Sequence, residues 1–340
     1  MSTFLISIIS DQTIPNVLFI KELGKVDYRY IFLTTEAMEK KGKSDAVMDT
    51  CGLGSVNVTK IVIQDDQTDS IKAVLYKNGF ATIPQAHFLI NITGGTKLMS
   101  LAVYEFFRNH HTTFYYLPIG KNKIQKFGQQ FIEESLALQC RLTLHEYLVA
   151  FSLSYEIKEN FAFTPDQSDK LFEDYKALGF RFDFFPVEKA SKMAAFRIMP
   201  ENIRGVWFEE FVYHLIRRKY NLKDESIACS VKVFKDMEIG YNDNEFDVMY
   251  VKDNELFVVE CKVALSGKSA MQKLDTSLYK LGAINKNFGL KTTTFLYTLG
   301  DLRNRSGQLS EALLRKCELL NIQPPFDMSS FQSDKLQFKK

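Results

Sequence analysis

The chain of 340 residues lacks any CxxC pair, and its five cysteines, Cys51, Cys140, Cys229, Cys261 and Cys317, are scattered. That excludes a zinc finger and a disulfide framework and points to a reducing, cytoplasmic setting. No apolar run approaches the ~20 residues that a membrane helix needs, so no membrane partner is expected. The apolar start "MSTFLISIIS" has neither a basic flank nor a small-residue cleavage site. It reads as a first buried strand rather than a signal peptide. An excess of one charge is missing too: 43 Lys and Arg against 41 Asp and Glu leave a formal net charge of +2. No global basic field announces nucleic acid, and any basic surface has to be local. There is no internal repeat, and the only biased stretch is the short polar tail "SSFQSDKLQFKK". What is present is ordinary for a globular protein. The 46% hydrophobic and 13% aromatic content fills sizeable cores, and this length suggests two domains with a connector.

The first 140 residues alternate in type. Strand-like "TFLISIIS", "YRYIFLTT", "NVTKIVIQ", "AHFLINIT" and "TTFYYLP" are separated by helical patterns such as "PNVLFIKELG", "SIKAVLYKNG" and "KLMSLAVYEFFRNH". Continuous apolar strands alternating with helices indicate an α/β fold with a doubly wound, Rossmann-like parallel sheet. Residues 141–200 have helical spacing and many aromatics and read as a small helical connector, with a winged helix as one form it would take. From residue 201 to 340 a second α/β pattern follows: the helix "GVWFEEFVYHLIRRKY", strands "IACSVKVFKD", "NEFDVMYVK" and "ELFVVECKVAL", a Lys-rich helix, the strand "TTTFLYTLG" and a last helix.

The strongest chemistry lies in "NEFDVMYVKDNELFVVECKV". Asp253-Asn254 is a hairpin turn signal between two apolar runs. A loop centred there puts Met249 opposite Val258, Asp247 opposite Glu260 and Glu245 opposite Lys262, with all four charged side chains on one face. Opposed β-carbons sit ~5 Å apart, where like charges are destabilising. A hard divalent cation such as Mg²⁺ or Mn²⁺ would offset two such carboxylates, and Lys262 would hold a water or stabilise charge on a phosphate. The plain alternative is a hairpin whose charged ends reach solvent. Against it, Glu260 directly follows the apolar "LFVV". Lys268, Lys273, Lys280, Lys286 and Lys291 come after the motif strand and suit either a phosphate track or a solvated helix face.

Asp247 followed by Glu260-Cys261-Lys262 on the next strand resembles the D…ExK core of PD-(D/E)xK nucleases. Their usual G-x-x-x-E helix is matched by Gly205 to Glu209, with Glu210 as the neighbour that would serve instead. The resemblance implies a restriction-endonuclease-like α/β/α domain. Its catalytic residues would be Asp247, Glu260, Lys262 and Glu209, with Asp247, Glu260 and the Cys261 carbonyl on Mg²⁺ or Mn²⁺.

A second site is expected at the switch point of the first sheet, where ligands bind in open α/β folds. With strand order 3-2-1-4, the loop "SDQ" (Ser10, Asp11, Gln12) meets the loop "NITGGTK" there. Gly94 and Gly95 permit close backbone approach. The helix that opens after Thr96 favours anions, and Lys97 adds charge. The stretch is neither a Walker A loop nor a G-x-G-x-x-G fingerprint, and an ordinary tight turn remains the alternative. Asn91, Thr93, Gly94, Gly95, Thr96, Lys97 and Met99 resemble the N-x-T-G-G-T-K-x-M segment of CARF domains, the sensors of CRISPR ancillary proteins.

A CARF domain ahead of a PD-(D/E)xK domain is similar to the CRISPR ancillary nucleases. That resemblance implies a homodimer that binds a cyclic oligoadenylate, with cyclic tetra-adenylate the expected ring, and then cleaves DNA, RNA or both. By the family's pattern Ser10, Asp11 and Gln12 contact the ligand. Thr35 is a further candidate, with a helix N-cap as its alternative. Other readings are a ligand-sensing DNA-binding regulator with an inactive nuclease-like domain, or a messenger-independent restriction or repair nuclease. The Arg141…His145 pair is too closely spaced for a HEPN motif, and His214 reads as a packed or surface histidine rather than a catalytic base.

Overall fold

The computed structural model describes residues 2–64, 66–128, 134–177, 201–234, 244–263, 270–284, 288–289 and 291–332. Backbone contacts divide the chain into two units. One is Met1–Ser154 with Gly289–Lys291, the other Tyr155–Phe288 with Thr292–Lys340. Lys268 and Lys286 lie outside the described residues.

In the first unit the strands are β1 (Thr3–Ile8), β2 (Arg29–Thr34), β3 (Val58–Val62), β4 (His87–Asn91), β5 (Thr112–Tyr116), β6 (Lys123–Phe127) and β7 (Glu134–Ala137). The helices are α1 (Ile14–Leu23), α2 (Glu36–Lys40), α3 (Lys43–Cys51), α4 (Thr68–Lys77), α5 (Lys97–Phe107) and α6 (Leu144–Ala150). The sheet order is β3-β2-β1-β4-β5-β6-β7. β1 to β5 pair in parallel, while β6 and β7 add antiparallel edges. The expected 3-2-1-4 order is therefore present, and the chain reverses its winding between β1 and β4. β1 and β2 are apolar almost throughout because both of their faces are covered. β3 and β7, at the two edges, are the exposed strands. Ile6, Ile8, Leu33, Phe88, Ile90, Val103 and Phe107 centre the core.

The 141–200 segment is shared between the units. α6 packs on α3 and α1, held by Lys21 on Glu146 at 2.5 Å and by the Thr13 hydroxyl on the Ala150 carbonyl. The strand β8 (Ser154–Glu156) and the helix α7 (Pro165–Ala177) instead build the second unit. Residues 178–200 lie outside the described part.

The rest of the second unit is α8 (Glu201–Tyr220), β9 (Ile227–Phe234), β10 (Asn244–Lys252), β11 (Glu255–Lys262), α9 (Ala270–Ile284), β12 (Thr292–Thr298), α10 (Glu311–Leu319) and α11 (Met328–Gln332). The sheet runs β12-β11-β10-β9-β8. β9, β10 and β11 pair antiparallel and β11–β12 pair in parallel. α8 presents Trp207, Phe208, Phe211 and Val212 to Val248, Tyr250, Val259 and Cys261 of the sheet. The hairpin face opposite the one expected to carry the four charged side chains is thus the one under this helix. Among the described residues no helix is long and apolar enough to cross a membrane.

Candidate functional site

The hairpin turns at Asp253 and Asn254, whose φ values of 52° and 62° are those of a tight two-residue turn that matches strand twist. Its register is the expected one: Lys252 pairs with Glu255, Met249 with Val258 and Val248 with Val259. Beyond that pair the ladder opens. The Asp247 carboxylate turns inward and its Oδ2 accepts the Cys261 N–H at 2.6 Å. The other flank is interrupted at the same residue. β10 pairs with β9 through Phe246–Val231 and Val248–Cys229, and Ser230 between them takes a φ of 49°. Direct opposition of Asp247 and Glu260 is therefore replaced by a splayed end, because facing carboxylates repel and a backbone N–H is a better partner. Glu245 is exposed and pairs with Lys232 of β9.

Lys262 sits inside this opening. Its ammonium is 2.6 Å from Glu260 Oε1, 3.1 Å from the Cys261 carbonyl oxygen and 3.9 Å from Asp247 Oδ2. The three oxygens named from the sequence as metal ligands thus converge on one cationic group. Burial works against the Lys262 charge, but Asp247 and Glu260 outweigh it and hold its pKa above the usual lysine value. Burial, then Glu260, raises the Asp247 pKa. Glu260 is almost fully buried, and Lys280 of α9 donates to its Oε2 at 3.0 Å. No group of three or more His, Cys, Asp or Glu side chains spaced for a metal occurs among the described residues. The set here is instead two carboxylates and a peptide carbonyl, all hard oxygens of the kind Mg²⁺ and Mn²⁺ take.

The two neighbouring acids of α8 separate cleanly. Glu210 is fully buried and spoken for: Oε1 accepts from Lys158 Nζ at 2.6 Å and Ala162 N at 2.8 Å, and Oε2 from Phe163 N at 2.8 Å. Glu209 feels Asp247 and Lys262 instead. Burial, then the Asp247 charge, pushes its pKa up to about 8. His214 is packed against Phe161 and Tyr213.

In the first unit the loops after β1 and β4 meet as the topology requires. At Gly94 a β-carbon would stand 2.1 Å from the Ile8 carbonyl oxygen, so only glycine allows this crossing. Gly95 has a φ of 77°. Thr96 caps α5 by accepting the Met99 N–H at 3.2 Å. A cavity of about 390 Å³ opens beside them, lined by Ser10, Asp11, Gln12, Thr35, Thr93, Gly95, Thr96 and Met99 from the expected set. Ile9, Pro15, Met38 and Ile119 complete the lining. Sequence reading missed these four because they carry no polar signal.

Asn91, Gly94 and Lys97 do not line the cavity. Asn91 is fully buried and holds the framework. Its amide donates to Asn16 Oδ1 at 2.8 Å, its oxygen accepts the Thr93 N–H at 3.0 Å, and Asn16 donates on to the Ile8 carbonyl. Lys97 is exposed at the start of α5. Thr35 lines the cavity and also caps α2, accepting the Met38 N–H at 3.3 Å. Lys41, absent from the expected set, holds both Asp11 oxygens at 2.9 Å.

Comparison with known proteins bears on both units. Residues 4–147 match the Card1 CARF domain, and residues 199–324 match the Card1-like endonuclease domain. The sequence matches no curated protein. Among solved structures, protein VC1899 from Vibrio cholerae is 16% identical with a TM-score of 0.73 over 97% of this chain and 95% of that one. Can2 from Sulfobacillus thermosulfidooxidans, solved in complex with cyclic tetra-adenylate, is 19% identical with a TM-score of 0.72 over 98% and 97%. A Type III CRISPR defence DNA nuclease activated by cyclic oligoadenylate is 14% identical with a TM-score of 0.61, over 94% of this chain and 52% of that one.

Proposed function

We propose that this chain, which belongs to the Card1-like proteins that join a CARF domain to an endonuclease domain, is a metal-dependent nuclease switched on by a cyclic oligoadenylate in cytoplasmic CRISPR defence. The observation that carries the catalytic half is the Lys262 ammonium resting among Glu260, the Cys261 carbonyl and Asp247. Oxygens that collect a monovalent cation in this way suit Mg²⁺ or Mn²⁺ better, since a divalent charge offsets both carboxylates. Such an ion, when bound, supplies Lewis-acid and water-activating chemistry. The chain's own residues do the rest. Lys262, once off Glu260, aims its donors at the scissile phosphate, where charge grows in the transition state. Glu209 completes the acidic wall beside Asp247. The phosphodiester of DNA, RNA or both is the substrate class.

The sensing half rests on the cavity beside Gly95 and Thr96. At about 390 Å³ it is at the low end for drug-sized ligands, too small for a ring of four nucleotides. Two copies related by a two-fold axis would supply two such cavities to one symmetric ring. α5 leaves Leu98 and Leu101, 44% and 60% exposed, on one outward face next to the cavity. That is the apolar surface such a homodimer would cover. The ring then activates only through its better affinity for the active arrangement of the dimer, and cyclic tetra-adenylate is the expected ring by likeness to the Can2 complex.

The test is a cleavage assay on plasmid DNA and on single-stranded RNA, with Mn²⁺ or Mg²⁺, with and without cyclic oligoadenylates of three to six nucleotides. Cleavage that needs both the metal and one ring is the expected result. Metal-dependent cleavage indifferent to every ring would leave a messenger-independent nuclease. Ring binding without cleavage of either substrate would leave a regulator.

A further inference from the structure

α9 buries Leu274, Ser277, Leu278 and Leu281, the i, i+3, i+4, i+7 stripe of a helix packed on a sheet. Lys280 lies beside that stripe, its side chain 37% exposed, and its ammonium bonds back onto the sheet. It donates to Glu260 Oε2 at 3.0 Å and to the Glu245 backbone carbonyl at 3.0 Å. One side chain therefore ties α9 to β11 and to the start of β10. The two lysines at Glu260 divide its carboxylate: Lys262 takes Oε1 at 2.6 Å and Lys280 takes Oε2.

Their situations differ in a way that matters for any cation entering the site. Lys262 touches all three oxygens of the candidate metal set, so it and a metal ion compete for the same place. Lys280 bonds to the other oxygen of Glu260, Oε2, and to a carbonyl that belongs to no candidate set. Nothing in its contacts has to break when Oε1 changes partner. Half of its anchorage is a backbone atom, which fixes the ammonium more firmly than a second side chain would.

We propose that Lys280 is a positioning residue that pins Glu260 by Oε2 and so presents Oε1 alone to the catalytic metal. This rests on the metal-dependent reading above. Partners of metal ligands typically contribute about 10- to 100-fold in metal affinity or activity, and that is the effect expected here.

The test is calorimetric titration of Mn²⁺ into the full chain without nucleic acid, for wild type, Lys280→Met, Lys280→Arg and Asp247→Ala, with thermal melting of each metal-free protein. Lys280→Met should bind Mn²⁺ about tenfold or more weakly, and Lys280→Arg, which keeps a charged donor, should recover most of the loss. Wild-type affinity in Lys280→Met with only a lower melting temperature would reduce Lys280 to a structural tie and overturn the proposal. Tighter binding would overturn it too, because it would make Lys280 a competitor of the metal. Should Lys280→Met not fold, Lys280→Gln takes its place under the same criteria. If wild type and Asp247→Ala both fail to bind Mn²⁺, the metal-dependent reading falls and this inference falls with it. If wild type binds and Lys280→Met is unchanged, only the inference falls.

Discussion

The two sites of this chain are built on opposite principles. Around the cavity of the first unit a polar frame is bonded in advance. Asn16, Asn91 and Thr93 bond to one another and to the Ile8 and Leu117 backbone. The charges, Asp11 and Lys41, stay at an exposed rim as an ion pair with both partners about half accessible. The charged cluster, or cleft, of the second unit buries its carboxylates. Asp247 and Glu209 are both held above the usual carboxylate range by burial and by acidic neighbours, and Lys262 and Lys280 offset them. A pre-satisfied frame costs nothing when its ligand leaves, which suits a site that senses. Buried like charges are unfavourable until a cation arrives, which suits a site that waits for one.

The sharpest way to break the comparison is to remove the cleft's acids. Asp247→Ala or Glu260→Ala should cut nucleic-acid cleavage by about a thousandfold, the several kcal/mol that metal-assisted stabilisation supplies. Affinity for the cyclic oligoadenylate should stay within about twofold, since sites without shared partners act independently. An active double mutant would end the catalytic assignment. The reciprocal change is Gly94→Ala. Its β-carbon would meet the Ile8 carbonyl at 2.1 Å, so the β1 and β4 loops must part. We expect activator affinity to fall about tenfold or more with a loss of roughly 2 kcal/mol in stability, read by ligand titration and melting. Mn²⁺ binding in the cleft should not change. Unaltered activator affinity would show that the crossing does not shape the ligand site.

Much of this contrast was legible in the sequence, and the reasons it stopped are physical. The winding of the first unit follows from continuous apolar strands such as "FLISI" and "IFLT", which only a sheet covered on both faces accepts. The hairpin register follows from Asp253-Asn254, a pair suited to left-handed dihedrals. Choosing between Glu209 and Glu210 was beyond reach. What occupies Glu210 is Lys158 and the Ala162 and Phe163 N–H groups, some fifty residues away. Asn91 looks like a ligand donor in the motif, yet its amide is used up inside the frame. Lys280 reads as one lysine among several on a solvated helix until α9 is packed against the sheet. The opening at Asp247 could not be read either, because period-two alternation assumes a ladder that continues.

A smaller effect sharpens the electrostatic half. A carboxyl whose pKa rises on folding binds its proton more tightly in the native state. Stability is then full below its ordinary value and falls as pH rises through the folded value. For Glu209 that window runs from about 4.5 to about 8. In metal-free protein, Glu209→Gln should therefore melt above wild type at pH 8.5. A gain of about 2 kcal/mol, or about 5 °C, is reasonable because Asp247 shares the coupling. The gain should vanish by pH 4 and shrink when Mn²⁺ is added. A pH-independent gain would mean that packing, not charge, limits this residue.

The smallest effect concerns how the cleft holds Asp247 in place. Ser230 stands in the left-handed region with a φ of 49°, a conformation that costs a non-glycine residue about 1 kcal/mol or more. Among the described residues its hydroxyl has only the Cys229 thiol, at 3.9 Å, as a side-chain partner, so that contact does not explain the strain. The strain falls where β9 fails to pair with Asp247. The backbone thus gives up a ladder step so that the carboxylate can turn to the Cys261 N–H. Ser230→Gly keeps that dihedral accessible and should raise stability by about 0.5 kcal/mol, the relief of strain less the extra unfolded-state entropy of glycine, with cleavage unchanged. Ser230→Val disfavours the left-handed dihedral, pulls residue 230 back into the ladder and should lower cleavage several-fold. Equal activity in both variants would show that Asp247 is aimed by β11 alone, and the interruption on β9 would then have no part in the site.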